Sequence, residues 1–401
     1  VTARVGVGHA RVVRGERNRS GRLPDVDVVR GLAVLALLTW LGLTGCRGGF
    51  WRTDQRLPAR RPPARWPSVA VVVPARDEAA VLPETLPTLL GQRYPGPARV
   101  ILVDDGSTDG TAALAERLGA EHPGLPLTVT APGPAPPGWT GKLWAVRHGV
   151  AEAGAPDLLL LTDADIAHGP GALATLVASA DELDLLSQMA VLRTETIWER
   201  LIVPAFVYFF AMLYPFRWAN RPGARTAAAA GGCCLLRREA LARAGGVAAI
   251  RTALIDDVAL ARAVKRAGGR IWLGLAEEVR SVRPYPTLRS LWQMVSRSAY
   301  AQLRYSPPVL AATVLGLALV FLAPPATTVA GVVTADPVTL LAGAASWLLM
   351  AATYTPMLRH HGQPPAAAPL LPGTALLYLL MTVDSAIQHW RGRGARWKGR
   401  S

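Results

Sequence analysis

Apolar residues along this chain come in runs of two lengths. The short kind begins at Ser68: Ser68 to Val73, Val100 to Val103, Leu127 to Thr130 and Leu158 to Leu161 are largely apolar runs of strand length. Between them, Glu78 to Leu90, Thr111 to Leu118 and Lys142 to Ala151 carry apolar residues at helical spacing. Runs without polar alternation are the mark of strands covered on both faces. Their alternation with helices predicts an α/β, Rossmann-like, mostly parallel sheet over residues 68–285. Ligands of such sheets bind beyond the carboxyl ends of the strands. Asp77, Asp104-Asp105 and Asp163 with Asp165 each fall just past one.

The long kind lies at the two ends: Val28 to Cys46, broken only by Arg30, then Val309 to Val333, Val338 to Leu358 and Ala366 to Ile387. A spanning helix needs about 20 apolar residues. The first run is expected to be an N-terminal membrane anchor (25–46), the others transmembrane helices within 308–390, although Pro324-Pro325 and Asp384 interrupt two of them.

Composition narrows the partner. The chain has a net charge of +15 and a mean hydropathy of +0.25. Arginines crowd at Arg4 to Arg22, Arg47 to Arg65 and Arg391 to Arg400, beside the apolar runs. That is juxtamembrane charge; no basic helix with interleaved aromatics points to nucleic acid. The remaining segments read as a basic disordered tail (1–24), a Pro/Arg linker (47–67), an interfacial helix (286–307) and a second basic tail (391–401). Adjacent Cys233-Cys234 and a lone Cys46 suit a reducing compartment rather than disulfides, and the histidines lack zinc-ligand spacing.

The candidate chemistry is acidic. A strand ending in Asp104-Asp105-Gly106-Ser107, with a helix opening near Asp109, can present a carboxylate to the imide N–H of a uracil or guanine; the same residues are ordinary turn and cap formers. Asp163-Ala164-Asp165 offers two carboxylates to Mg2+ or Mn2+, which bind one or two carboxylates plus substrate phosphates. Gly138 to Lys142 fails as a phosphate loop, because Pro136 and Leu143 stand where Gly and Ser/Thr are required. Lys142 at a helix start still suits a phosphate, or is a solvated lysine. Asp256-Asp257, before a helix over Val258 to Ala267, either complement the helix dipole or include a general base. Ala230-Gly231-Gly232-Cys233-Cys234 permits close backbone approach to a ligand. Gln302, Arg304 and Tyr305 fall in a polar-aromatic helix, Ser298 to Tyr305, where arginine suits a diphosphate or a lipid headgroup.

Taken in order, these motifs resemble family 2 inverting glycosyltransferases of the GT-A fold, over about Val71 to Tyr305: Val-Val-Val-Pro-Ala-Arg-Asp-Glu, Val-Asp-Asp-Gly-Ser-Thr-Asp-Gly-Thr, Gly-Lys, Asp-Ala-Asp and Asp-Asp. The resemblance implies a nucleotide-sugar donor, a UDP-sugar favoured, with a divalent cation, Mg2+ or Mn2+. It places Pro74, Asp77, Asp104, Asp105, Lys142, Asp163, Gln302 and Arg304 around the donor, with Asp105 on the nucleobase. Asp163 and Asp165 would hold the metal and Asp257 would be the base. Gln302-Leu303-Arg304-Tyr305 departs from the Gln-x-x-Arg-Trp motif of processive members, being one residue short with Tyr for Trp. Pro137 to Ala145, Ala230 to Arg238 and Arg297 to Pro307 further resemble the hopene-associated glycosyltransferases of bacterial hopanoid gene clusters. That implies a lipid acceptor in the hopanoid pathway and a multi-pass protein of the bacterial inner membrane with its catalytic unit cytoplasmic. Polyprenyl phosphate or another lipid alcohol is the alternative acceptor; a silent nucleotide-binding membrane protein is the alternative of another class. Leu201 to Phe216, apolar but broken by Pro204 and Pro215, is expected at the membrane interface or against the acceptor. One span before the catalytic unit and three after it would put both basic termini outside, against the positive-inside tendency. One apolar run is therefore expected to be interfacial or re-entrant.

Overall fold

The computed structural model describes residues 26–58 and 60–392; the expected basic tails lie outside the described residues except for Arg391 and Gly392. Helix α1 (Val26–Cys46) opens the described chain, and an irregular segment leads to the sheet. There β1 (Val69–Ala75), α2 (Leu82–Leu90), β2 (Ala98–Asp104), α3 (Thr111–Glu121), β3 (Leu127–Thr130), α4 (Gly141–Glu152) and β4 (Leu158–Leu161) alternate as the apolar runs predict. Helix α2 starts four residues later than Glu78, because residues 76–81 form a loop in which Asp77 adopts a left-handed φ of 49°.

Next come β5 (Ile166–His168), α5 (Ala172–Ser179), β6 (Leu185–Val191), α6 (Ile197–Leu213), α7 (Phe216–Ala219), β7 (Cys234–Arg237), α8 (Arg238–Arg243), α9 (Asp256–Arg266), β8 (Ile271–Ser281) and α10 (Leu288–Gln302). The eight strands form one sheet in the order β3-β2-β1-β4-β7-β6-β8-β5. Pairs among β3, β2, β1 and β4 are parallel, as is β6 with β8; β7 runs antiparallel to β4 and β6, and β5 to β8. The sheet is thus parallel in its first half and mixed in its second.

Every residue of β1 is buried, and a fully buried valine contributes about 1.5–3 kcal/mol. Helix α4 sits directly on β1 and β2. A Cβ at Gly149 would meet Val72 Cγ1 at 2.5 Å and Val103 Cγ2 at 2.8 Å, so only glycine permits this approach. That seat brings the start of α4, where the Thr140 side chain accepts a bond from Leu143 N, to the carboxyl edge of the sheet.

Leu201 to Phe216 is broken near Pro215, as expected, but not at Pro204. Phe216 opens α7, whereas Leu201 to Leu213 belong to α6, a helix that continues past Pro204 at the cost of one backbone hydrogen bond. A capping box holds its start: Thr196 accepts from Glu199 N, and Glu199 accepts from the backbone of Glu195, Thr196 and, across the chain, Tyr285. One apolar core joins Val203, Val207 and Tyr208 of α6 to Leu273 and Leu275 of β8 on one side and to Tyr354 and Met357 on the other.

The latter two belong to the apolar helices. Helix α11 (Pro307–Leu317) passes through a π turn (Ala318–Leu322) into α12 (Ala323–Thr334), then α13 (Pro337–His360), a 3-10 turn (Pro365–Leu370) and α14 (Leu371–Trp390). Pro324-Pro325 fall in the first turn of α12, where the π turn absorbs the missing donors. Among the described residues, four helical stretches are long and apolar enough to cross a membrane: Val26–Cys46, Pro307–Thr334, Pro337–His360 and Pro365–Trp390. Arg30, the one charge in the first apolar run, pairs with Asp336 at 3.0 Å, and Asp336 also caps α13 through Thr339 N.

Candidate active site

The loops after β1 and β2 are stitched together before any ligand is considered. Asp77 Oδ1 accepts from Thr108 N at 2.7 Å, Asp77 N donates to Ser107 Oγ, and Ala79 N donates to Asp109 Oδ2. Asp104 accepts from Ser107 N and Oγ. Its neighbour points the other way: Asp105 is 1% exposed, and Arg76 Nη1 donates to its backbone oxygen and lies 3.4 Å from its carboxylate. Of the acidic pair, Asp104 therefore faces the loop surface and Asp105 is a buried partner of Arg76.

The second group lies across the edges of β1 and β4. Pro74, Lys142, Asp163, Gly231, Asp256 and Asp257 line one cavity of about 470 Å³, counted with its open mouth. Leu143, Val146, Leu241 and Leu260 form its apolar floor. Lys142 Nζ reaches Asp163 Oδ1 at 2.8 Å and Asp256 Oδ2 at 3.0 Å. Burial works against its charge, but the two carboxylates more than offset this and raise its pKa well above the ordinary lysine value. Asp257 accepts from Gly231 N at 2.9 Å and from Val258 N at 2.7 Å. Burial first, then the neighbouring Asp256, push its carboxyl from 3.8 to about 7, against the opposing pull of Lys142 and the two N–H donors. A carboxylate at the start of a helix, titrating near neutrality beside a fixed ammonium, can accept a proton from a hydroxyl and release it to water. Gly231 opens onto this group: a Cβ there would stand 3.5 Å from Asp257, 3.6 Å from Lys142 and 3.7 Å from Asp163.

The third group surrounds Asp165. Its Oδ2 accepts from Ser281 Oγ at 2.9 Å and from Arg283 Nε at 3.0 Å, while Arg283 Nη2 reaches Glu78 at 2.8 Å. Burial opposes the guanidinium charge, and Asp165 and Glu78 outweigh it. Behind this group His168, pushed down to about 4 by burial, meets Thr162 Oγ1 at 3.0 Å. Among the described residues no three His, Cys, Asp or Glu side chains converge as a complete metal cage. A cation completed by phosphate oxygens needs only one or two carboxylates. Asp163 engages Lys142 through Oδ1, and Asp165 engages Ser281 and Arg283 through Oδ2. The second oxygen of each makes no hydrogen bond among the described residues, so each keeps one oxygen available to such a cation.

Gln302 and Arg304 do not line the cavity. Helix α10 ends at Gln302, so the expected helix over Ser298 to Tyr305 stops short; Arg304 and Tyr305 turn left-handed, with φ of 55° and 56°. The Gln302 amide bonds the hydroxyl of Tyr214, which in turn receives Arg262 of α9. Sequence reasoning gave no role to Arg76, Glu78 and Arg283. The last stands just past the end of β8 beside Pro284, the same strand-end position that singled out the aspartates.

Residues 34–401 match the family model described as glycosyl transferase family 21. A probable glycosyltransferase, YdaM of Bacillus subtilis (strain 168), is 30% identical over 100 residues, spanning about a quarter of each chain: 25% of this one and 23% of that one. Among solved structures, the mannosyltransferase PcManGT from Pyrobaculum calidifontis, in complex with GDP-Man and Mn2+, aligns with 91% of this chain and 98% of its own at 22% identity and a TM-score of 0.54. The likeness supports the GT-A architecture expected from the sequence.

Proposed function

The chain belongs to glycosyl transferase family 21, and on that footing we propose that it transfers a sugar, with inversion, from a nucleoside diphosphate to the hydroxyl of a membrane lipid. The observation that carries this reading is Asp257, its carboxyl pushed up to about 7 by burial and Asp256, in a cavity it shares with Lys142 and Asp163. The acceptor oxygen attacks the anomeric carbon as its proton passes to the Asp257 carboxylate. The bond from that carbon to the diphosphate breaks on the opposite face, and the nucleoside diphosphate leaves. Lys142 is held where an ammonium meets the departing negative charge. Asp163 and Asp165 would hold a divalent cation, which when bound neutralises the same diphosphate. Arg283 and Ser281 fix the rotamer of Asp165 for that purpose. Asp77 and Asp104 frame the nucleobase side, and Asp105 acts there by holding Arg76 rather than by touching the base.

The lipid acceptor is argued from the four long apolar helices and from the core they share with the sheet. Purified protein in lipid nanodiscs, given UDP- and GDP-sugars with Mg2+ or Mn2+, is expected to yield a glycolipid by mass spectrometry and one nucleoside diphosphate per product. Hopanoid, polyprenyl phosphate and ceramide-like alcohols supplied separately identify the acceptor. Release of nucleotide with water-soluble acceptors alone would overturn the lipid assignment. Asp165→Ala is expected to remove activity and to leave any residue of it indifferent to added metal; unchanged metal activation would reject Asp165 as a ligand.

A further inference from the structure

Length and hydropathy mark Pro365–Trp390 as a membrane crossing, yet its two ends are fastened to the same side of the molecule. The segment before it is tied to the catalytic sheet: Arg56 bridges His360 of α13, at 3.2 Å, to Glu277 of β8, and Gln363 reaches Thr194 at 3.4 Å. The far end returns there. His389 stacks on Tyr305 with ring centroids 4.4 Å apart, Trp390 packs edge-on to Tyr300 at 5.8 Å, and Tyr300 N donates to Ser385 Oγ at 3.0 Å. Those partners lie in or just after α10, whose Leu291 and Val295 share a core with Leu273 and Leu275 of β8.

Between the ends the helix dips and comes back. Trp347 Nε1 donates to Pro369 O at 3.1 Å, and Trp347 precedes His360 by 13 residues of α13. At 1.5 Å per residue of α13, the chain from His360 to Pro369 therefore climbs ~20 Å along that helix, short of the ~30 Å hydrocarbon core. Helix α14 then slants back along α11 and α10. Asp384, the charge that counted against this run as a span, accepts from Trp292 Nε1 of α10 at 2.7 Å. It thus sits at the level of the catalytic unit and not at the bilayer centre. The opposite end of the bundle is marked by Arg30 and Asp336, where α1 begins and α12 turns into α13.

We infer that α14 is a re-entrant helix whose outer face lies in the leaflet adjoining the catalytic unit, so that the chain crosses the membrane three times and Arg391 is on the catalytic side. Leu376 and Leu380, exposed at 42% and 44%, lie one turn apart as an apolar stripe facing the lipid tails. Trp390, 58% exposed, stands at headgroup level beside Arg391. An odd number of crossings reconciles one basic terminus with the positive-inside tendency that four crossings violate.

The inference rests on the membrane reading above, and one labelling experiment separates their failures. Full-length single-cysteine variants in a Cys46→Ser background, with Cys233 and Cys234 buried, are expressed in membranes. Sealed right-side-out and inside-out vesicles are then treated with a membrane-impermeant maleimide. Glu182→Cys reports the catalytic unit and Ala335→Cys the α12–α13 turn; both positions are exposed. Arg391→Cys is expected to label in the same vesicles as Glu182→Cys and to be protected where Ala335→Cys reacts. Labelling of Arg391→Cys together with Ala335→Cys overturns re-entry and leaves the membrane reading intact. Glu182→Cys and Ala335→Cys labelling in the same vesicles overturns both.

Discussion

Replacing Asp257 with asparagine separates proton acceptance from the other tasks of this side chain. The carboxylate satisfies Gly231 N and Val258 N with its two oxygens. Asparagine keeps one acceptor and turns an amide NH2 towards the other donor, a loss of about 1–3 kcal/mol. Against that, a carboxyl raised from 3.8 to about 7 carries about 4 kcal/mol against its ionised form, and a neutral amide does not carry it. Relief of the buried charge therefore offsets the lost bond, and at pH 8 the variant is expected to melt no lower than the parent. Transfer behaves differently, because loss of a general base costs roughly 10²–10⁴ in rate, about 3–5 kcal/mol of barrier. The assay pairs initial rates of glycolipid formation with donor affinity from calorimetry and a detergent melting curve. The expected pattern is a rate at least about a hundredfold lower with donor affinity and Tm preserved. Transfer within tenfold of the parent, with the same acidic limb in its pH profile, would refute the assignment. A matching loss of donor affinity would move Asp257 into the donor pocket instead.

The same carboxyl sets the pH dependence: kcat/KM should fall about tenfold per pH unit below about 7, as Asp257 takes up its proton. Asp256→Asn removes a charge that raises this pKa and should move the limb to lower pH, whereas Lys142→Met removes the opposing cation and should move it higher; shifts in one common direction would contradict the geometry. The stability contribution has the opposite sense, being full below the ordinary carboxyl value and lost as pH rises towards 7. Gly231→Ala has room for its methyl by ordinary van der Waals distances, so Tm should hold while donor affinity drops; a fall in both would show that the position is structural. Glu199→Ala strips three backbone donors of a fully buried acceptor and should cost about 3–5 kcal/mol, read by denaturation. Burial raises the Glu199 pKa and the backbone donors more than reverse it. Its contribution is thus present above the ordinary glutamate value and lost as pH falls through the lower folded value, so the deficit of the variant should shrink in acid.

The strands and their acidic ends were legible because burial on both faces leaves a signature in consecutive residues: Val69–Ala75 and Val100 to Val103 are apolar without alternation. Lys142, Asp163 and Asp257 were legible as candidates because each stands at an element boundary, and the fold brings them into one cavity. What periodicity does not carry is pairing across the chain. Arg283 meets Asp165 over 118 residues and Glu78 over 205. The opposite facing of Asp104 and Asp105 follows from the alternation of an extended chain. The proline in α6 misled for a local reason: one lost hydrogen bond is small beside the apolar surface that the helix buries.

Helix α6 also decides how the molecule can be taken apart. Val258, next in sequence to Asp257, lies in the same core as Trp40, Met350 and Met381 of the apolar helices. Among the described residues the proposed base thus adjoins one packed core shared with the apolar helices, and on the membrane reading proposed above its height over the lipid headgroups is a fixed dimension of the protein. A version cut back to the sheet alone would expose the lipid-side half of that core and lose the surface on which α6 rests. Exchange of catalytic units between relatives would have to carry the apolar helices with it. On the lipid acceptor proposed above, selection would act like a gauge: a hydroxyl would be glycosylated when the lipid bearing it holds that hydroxyl at the height the core has set.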